Sequence, residues 1–217
     1  MPYRQTETVI RRLSARREAI LAAACNALAE NGIAAVQIIP VAERAGIAAG
    51  TVYRYFPSKA DLLAAVVRTI SEQEIAALDG ASSQAPGPLS ALAAAITTFA
   101  ARAVAQRKLV LALMTQAVEP ELQAVTLSFR RALAAALERL IREAIATRHL
   151  QDQDAAFAAP ALLGAVVESL LGPLAPPYHD PAQMPARVQA LTLFGLRALG
   201  VSDARARGIV VHTAVPL

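Results

Sequence analysis

Residues Gly46-Ile47-Ala48-Ala49-Gly50-Thr51-Val52-Tyr53-Arg54-Tyr55-Phe56-Pro57-Ser58-Lys59 spell a turn, one short helix, a stop and the start of a second helix. Just upstream, Val41-Ala42-Glu43-Arg44-Ala45-Gly46 reads as the end of another short helix, closed by a glycine able to take the left-handed C-cap conformation. Two short helices joined by a glycine-containing turn form a helix-turn-helix pattern. Val52 and Phe56 lie four apart and can face a core, while Thr51, Tyr53, Arg54 and Tyr55 offer hydroxyls, rings and a guanidinium outward. Pro57 has no amide proton and ends the helix; Ser58 follows as a natural N-cap for the next one. A short exposed helix rich in hydroxyls and cations suits contact with phosphates and base edges.

Working outward, the 217 residues suffice for one large domain or two modest ones. Hydrophobic residues make up 55%, much of it alanine, and tryptophan is absent, which favours an all-α chain. The net charge of +4 is unevenly placed: Lys and Arg outnumber Asp and Glu by 9 to 6 in residues 1–72 and by 12 to 11 beyond. Arg4, Arg11, Arg12, Arg16 and Arg17 stand near the start, a basic arm over residues 1–12 and the turns after it, suited to displacing counterions from nucleic acid. A solubilising tail is the plainer alternative for that arm.

One cysteine excludes an internal disulfide framework, and Cys25 falls on an apolar stripe with Leu21 and Leu28, a small core residue. The longest uncharged stretch, from Gly80 up to Arg102, is broken by Pro86, Gly87 and Pro88, so no membrane span is expected. His149, His179 and His212 are far apart and lack metal-ligand spacing, and no phosphate-binding or nucleophile-elbow motif occurs. No catalytic residue, metal or cofactor is expected, and Asp152 and Asp154 read as a pair favouring the N-terminus of the following helix.

Helices are expected from about Ser14 to Asn31, Ile38 to Ala45, Ala49 to Phe56, and from Ser58 toward Ala77. The run from Asp79 to Pro88 predicts a flexible connection, followed by helical stretches near 89–106, 107–118, 120–149, 153–172 and 182–199. Residues 201–217 give no clear signal. This divides the chain into a helix-turn-helix unit over 13–72 and a second helical unit over 73–200.

The run from Ala42 to Leu63, with Ile20, Ala23, Ala27, Leu28, Asn31 and Gly32 before it, resembles the DNA-binding signature of tetracycline-repressor (TetR) family regulators over about residues 13–70. The resemblance implies a cytoplasmic, homodimeric repressor that binds palindromic double-stranded DNA and is released by a small molecule. It implies DNA binding in the unit over 13–72, and effector binding and dimerisation in the unit over 73–200. It further implies DNA contacts at Gln37, Arg44, Ala49, Gly50, Thr51, Tyr53, Arg54, Tyr55 and Lys59. Gly50 admits a close backbone approach, Arg54 suits guanine, and Tyr55 and Lys59 match phosphate contacts. A half-buried structural role stays open for Tyr53 and Tyr55. Ala48 and Gln37 stand where the family usually has Ser and Thr caps. The family's effector pocket has no motif here; Phe99, Met114, Phe129 and Phe157 are its bulky candidates. Thr97, Thr98, Gln116, Glu168 and Ser169 are its polar ones, with a small, largely apolar effector expected. The last two long helices carry Phe157, Ala158, Ala161, Leu162, Ala165 and Ser169, then Val188, Leu191, Gly195 and Leu199, the expected dimer seam. Two alternatives stand beside this reading: regulation without a small molecule, and a helical ligand-binding protein that has lost DNA binding.

Overall fold

The computed structural model describes residues 7–114, 120–176 and 181–216. Among these residues the regular structure is helical throughout: α1 (Glu7–Asn31), α2 (Ile38–Arg44), α3 (Ala49–Tyr55), α4 (Lys59–Ser83), α5 (Pro88–Ala105), α6 (Arg107–Met114), α7 (Pro120–Ala146), α8 (Ala155–Leu170), α9 (Met184–Ala198) and α10 (Asp203–Val211), with short 3-10 turns at Ile33–Ala35 and Pro181–Gln183.

Helix α1 starts earlier than expected, so residues 7–12 are helical and not a loose arm. No glycine or proline interrupts Glu7 to Arg17, and arginine, alanine and leucine favour helix. Ser14 caps nothing; its hydroxyl donates to the Glu18 carboxylate one turn on, at 2.8 Å. Arg4 lies outside the described residues.

Helix α2 ends in a Schellman motif. Gly46 takes φ +67°, its amide donates to the Glu43 carbonyl at 3.1 Å, and the Ile47 amide donates to Ala42 at 3.0 Å. The turn aims α3 across α2, and Ile20, Leu28, Val41, Val52, Phe56 and Leu63 close a small core beneath them. Ser58 then opens α4 with a full capping box: its hydroxyl accepts from the Asp61 amide, and the Asp61 carboxylate accepts from the Ser58 amide, both at 3.1 Å.

The expected flexible connection at 79–88 is not there. Helix α4 runs on through Gly80 to Ser83, and only residues 84–87 link it to α5. The polar residues that suggested a loop are satisfied within helix packing. Ser82 donates to Leu78 one turn back at 2.7 Å and lies 3.2 Å from the Ala91 carbonyl of α5, while Asp79 pairs with Arg139 of α7. Helix α4 is thus one continuous rod from the helix-turn-helix into the C-terminal bundle.

Helix α5 is the axis of that bundle. By length and composition it is apolar enough to cross a membrane, yet it is packed by α4, α7, α8 and α9, with Leu92, Ile96 and Phe99 wholly buried. Glu74 of α4 accepts two hydrogen bonds from Arg102 of α5, at 2.9 and 2.5 Å, in a largely buried ion pair. Thr192 of α9 donates to its own Val188 carbonyl, leaving Thr97 of α5 to donate to Thr192 at 2.9 Å. The tail forms α10, fastened to the bundle by Ala206 and Val210.

Candidate DNA-facing surface and ligand cleft

Helix α3 presents Gly50, Tyr53 and Arg54 to solvent, with Tyr53 half exposed. A side chain added at Gly50 would meet nothing within 4 Å, so the backbone there is open to a long partner. Thr51 and Ala49 are half-buried beside it, and Val52 and Phe56 are core. Tyr55 differs from the outward expectation. It lies three residues from Val52 and next to Phe56, on the inward stripe, and its hydroxyl is buried without a hydrogen-bond partner among the described residues. Its ring supports Arg54, whose Cζ lies 5.6 Å from the ring centroid. Arg17 of α1 stacks likewise over Phe56 at 5.4 Å.

Lys59 sits half-buried at the start of α4, level with α3. Gln37 occupies the N-cap position of α2, but its side chain points back to the Ala34 carbonyl (3.1 Å) and makes no cap bond. Arg44 is held against the Glu30 carboxylate at 2.7 Å. That hydrogen bond, more than the charge itself, keeps the Glu30 carboxyl below the usual carboxylate range. Both groups are exposed, so the pair orients Arg44 more than it stabilises the fold. Burial pushes the Cys25 thiol up, as befits a packed, unreactive sulfur. Asp154 caps α8, accepting from the Ala156 and Phe157 amides.

The helix expected to begin near 107 does so, but sequence reading gave no role to the two cations that open it. Arg107 donates to the carbonyls of Leu170 and Leu171 at 3.1 and 2.8 Å, where α8 ends. Lys108 donates to the Glu30 carbonyl at 3.2 Å, at the end of α1. Two cations opening a helix oppose its own dipole, and that misplacement was the available signal. They serve the C-terminal ends of two other helices instead. A chain of contacts therefore runs from the end of α8 through α6 to α1, and through Glu30 to Arg44 of α2.

The effector candidates scatter. Met114 and Glu168 line one cleft of about 330 Å³ between α6, α7 and α8, together with Leu127, Arg130, Arg131 and Gly164. Phe99 and Phe129 are core fillers, and Thr97 is consumed by Thr192. Thr98 lines a different groove, beside His212. Ser169 donates to Ala165 in its own helix. Gln116 lies outside the described residues. Phe157 is 74% exposed and lines a separate surface groove between α8 and α9.

The expected seam on α9 needs correcting. Val188, Leu191, Gly195 and Leu199 are buried against the chain's own bundle, and a Cβ on Gly195 would come within 3.2 Å of Leu162. The exposed apolar face of α9 is instead Ala190, Phe194 and Ala198, and on α8 it is Phe157 and Ala161. Between the two helices lies an open apolar groove of about 660 Å³, with Leu174 and Pro176 at one end.

A helix-turn-helix with an exposed cationic helix, carried on a rod into a separate helical bundle, defines a DNA-binding regulator class. Residues 20–66 match the family described as bacterial regulatory proteins, tetR family. The chain is 42% identical over 72 residues to the HTH-type transcriptional repressor KstR of Rhodococcus jostii, a stretch covering 33% of this chain and 32% of that one. The likeness to curated relatives thus spans about a third of their length. A putative TetR-family transcriptional regulator from a Rhodococcus species superposes with a TM-score of 0.71 at 21% identity, over 86% of this chain and 98% of that one. RolR, solved in complex with resorcinol, superposes with a TM-score of 0.67 at 23% identity, over 96% of this chain and 98% of the other. The N-terminal third of the chain thus resembles the DNA-binding region of the tetR family, and the fold of the whole chain is similar to that of solved regulators of that kind.

Proposed function

We propose that this protein is a cytoplasmic transcriptional repressor that binds a palindromic operator as a homodimer and is released by a small molecule. The observation that carries the reading is α3: a solvent-facing Tyr53 and Arg54 beside an unobstructed Gly50, on a helix aimed by a glycine turn. The repressor action of KstR and the resorcinol held by RolR support the two halves of the proposal. The unit from 13 to 72 reads DNA; the unit from 73 to 200 senses and dimerises, and α4 joins them. Arg54 reads guanine, with Thr51 and Tyr53 beside it, while Gly50 and Ala49 let the backbone close on the groove. Lys59 and Gln37 meet phosphate, and Arg44 reaches the groove edge when released from Glu30. Tyr55 acts by bracing Arg54, and its hydroxyl meets phosphate only if the ring swings outward. Met114 and Glu168 belong to the effector cleft.

Selection of sites from random DNA tests this. Wild type should enrich a near-palindrome with half-sites about 34–36 Å apart, one helical turn. Arg54→Ala should cost roughly 1–3 kcal/mol and relax preference at one guanine. Lys59→Ala should weaken binding equally on all sequences, because phosphates carry no sequence information. Absence of any enriched palindrome would defeat the reading.

A further inference from the structure

The cleft between α7 and α8 carries two neighbouring arginines at its rim. Leu127, Arg130, Arg131 and Ala134 recur at 0, +3, +4 and +7, the spacing of one helical face, and that face borders the cleft. Opposite it, Pro160, Leu163, Gly164 and Val167 follow the same spacing. Leu127, Arg130 and Arg131 are exposed and Ala134 is half-buried, so the two guanidiniums stand together at the solvent edge of an otherwise apolar cleft.

Neither guanidinium has an acidic or hydrogen-bonding partner among the described residues. The one carboxylate lining the cleft, Glu168, is turned away: it accepts from the Leu174 amide at 3.2 Å and lies over Gly172, where a Cβ would come within 2.6 Å of it. On the same helix, Arg139 pairs with Asp79 and Arg142 with Glu138. The remaining walls are apolar, and space is kept by small residues. A Cβ on Gly164 would meet nothing within 4 Å, Ala134 is half-buried, and Pro160 interrupts the amide ladder of α8 on this side.

We propose that the effector of this protein is an amphiphilic organic anion, its acid group held by Arg130 and Arg131 and its apolar body lying between Met114, Leu163 and Gly164. The planar guanidinium offers forked donors that match a carboxylate, and two of them side by side at the cleft mouth can hold the acid group while the apolar body enters the cleft. A neutral ligand of the same shape would gain nothing from the two guanidiniums, and a cationic one would be repelled by them. The inference rests on the reading of the protein as a ligand-released repressor, and it replaces a purely apolar effector with a charged one.

Calorimetric titration of the full chain with matched probes tests it: octanoate against octan-1-ol and octylammonium, and 1-naphthoate against 1-naphthylmethanol. At least one acid should bind roughly tenfold or more tightly than its alcohol, as expected for charge-assisted pairing. Its affinity should fall with added salt, and octylammonium should not bind. Arg130→Gln/Arg131→Gln should bring acid affinity down to that of the alcohol without changing thermal unfolding. Gly164→Leu, which fills the cleft, should remove binding of both. Equal affinity for acid and alcohol, an acid preference that survives the double substitution, or no binding by any probe would overturn the proposal. Site selection on DNA reads the underlying function separately. An enriched palindrome without acid preference removes the anion and leaves the repressor; acid binding through Arg130 and Arg131 without any enriched palindrome does the reverse.

Discussion

Gly46 shows how one backbone angle places a binding surface. At φ +67° it needs the left-handed region, and no neighbouring atom lies within 4 Å of where a Cβ would stand. Gly46→Ala therefore tests conformation alone. It should cost about 1–2 kcal/mol, lowering the melting temperature by roughly 2–8 °C for a chain of this size. Operator affinity should fall further than stability does, because α3 is aimed by this turn. Equal Tm values for the two proteins would show that the turn relaxes at no cost. Most of this residue-level picture was legible in the sequence: Gly46, Pro57 and Ser58 act through local rules, and the structure places them as those rules require. The inward turn of Tyr55 was less legible because its hydroxyl outweighed its spacing from Val52, and the Arg44–Glu30 pair was not legible because the two lie fourteen residues apart.

At the scale of elements, the start of α4 was legible and its end was not. Local polarity at Asp79, Ser82 and Ser83 suggests a break, and only partners on α5 and α7 convert those groups into helix surface. The Glu74–Arg102 pair belongs to the same class of long-range fact. Glu74 is 5% exposed, and its two bonds fix the rotation of α4 on α5. Glu74→Gln should destabilise by about 2–3 kcal/mol, below the full cost of breaking a buried pair because Arg102 is one-third exposed and can rehydrate. Urea unfolding with an unchanged midpoint would show the pair to be dispensable. Helix α6 makes a second joint through Lys108 and the Glu30 carbonyl. Lys108→Ala should speed amide exchange in the last turn of α1 by about two- to fivefold, matching roughly 0.5–1 kcal/mol for an exposed bond to a charged donor. Exchange in α9 should not change. Uniform acceleration in both helices would point to global destabilisation instead.

For the whole molecule, the faces of α8 and α9 decide between core and interface. The sequence marks both helices as apolar on more than one side, and periodicity alone does not say which side the chain keeps for itself. The bundle takes Leu162, Val188, Leu191 and Gly195, leaving Phe157, Ala161, Ala190 and Phe194 to solvent. Phe194 is 56% exposed beside an apolar groove of about 660 Å³, a surface that a second copy, presenting the same residues about a two-fold axis, would cover. Three variants separate the two roles. Phe194→Asp and Ala161→Glu put charge on the open face; each should give folded monomers by sedimentation, with wild-type helicity and weak operator binding, since one half-site is lost. Gly195→Glu puts a side chain where a Cβ already approaches Leu162 at 3.2 Å and Ile96 at 3.4 Å, and buries a charge there. It should unfold the bundle rather than divide a dimer, showing reduced helicity at every concentration. Dimers persisting in both surface variants would move the interface off α8 and α9. A soluble, fully helical Gly195→Glu monomer would mean that the bundle yields at α9, and that the buried stripe takes part in assembly after all.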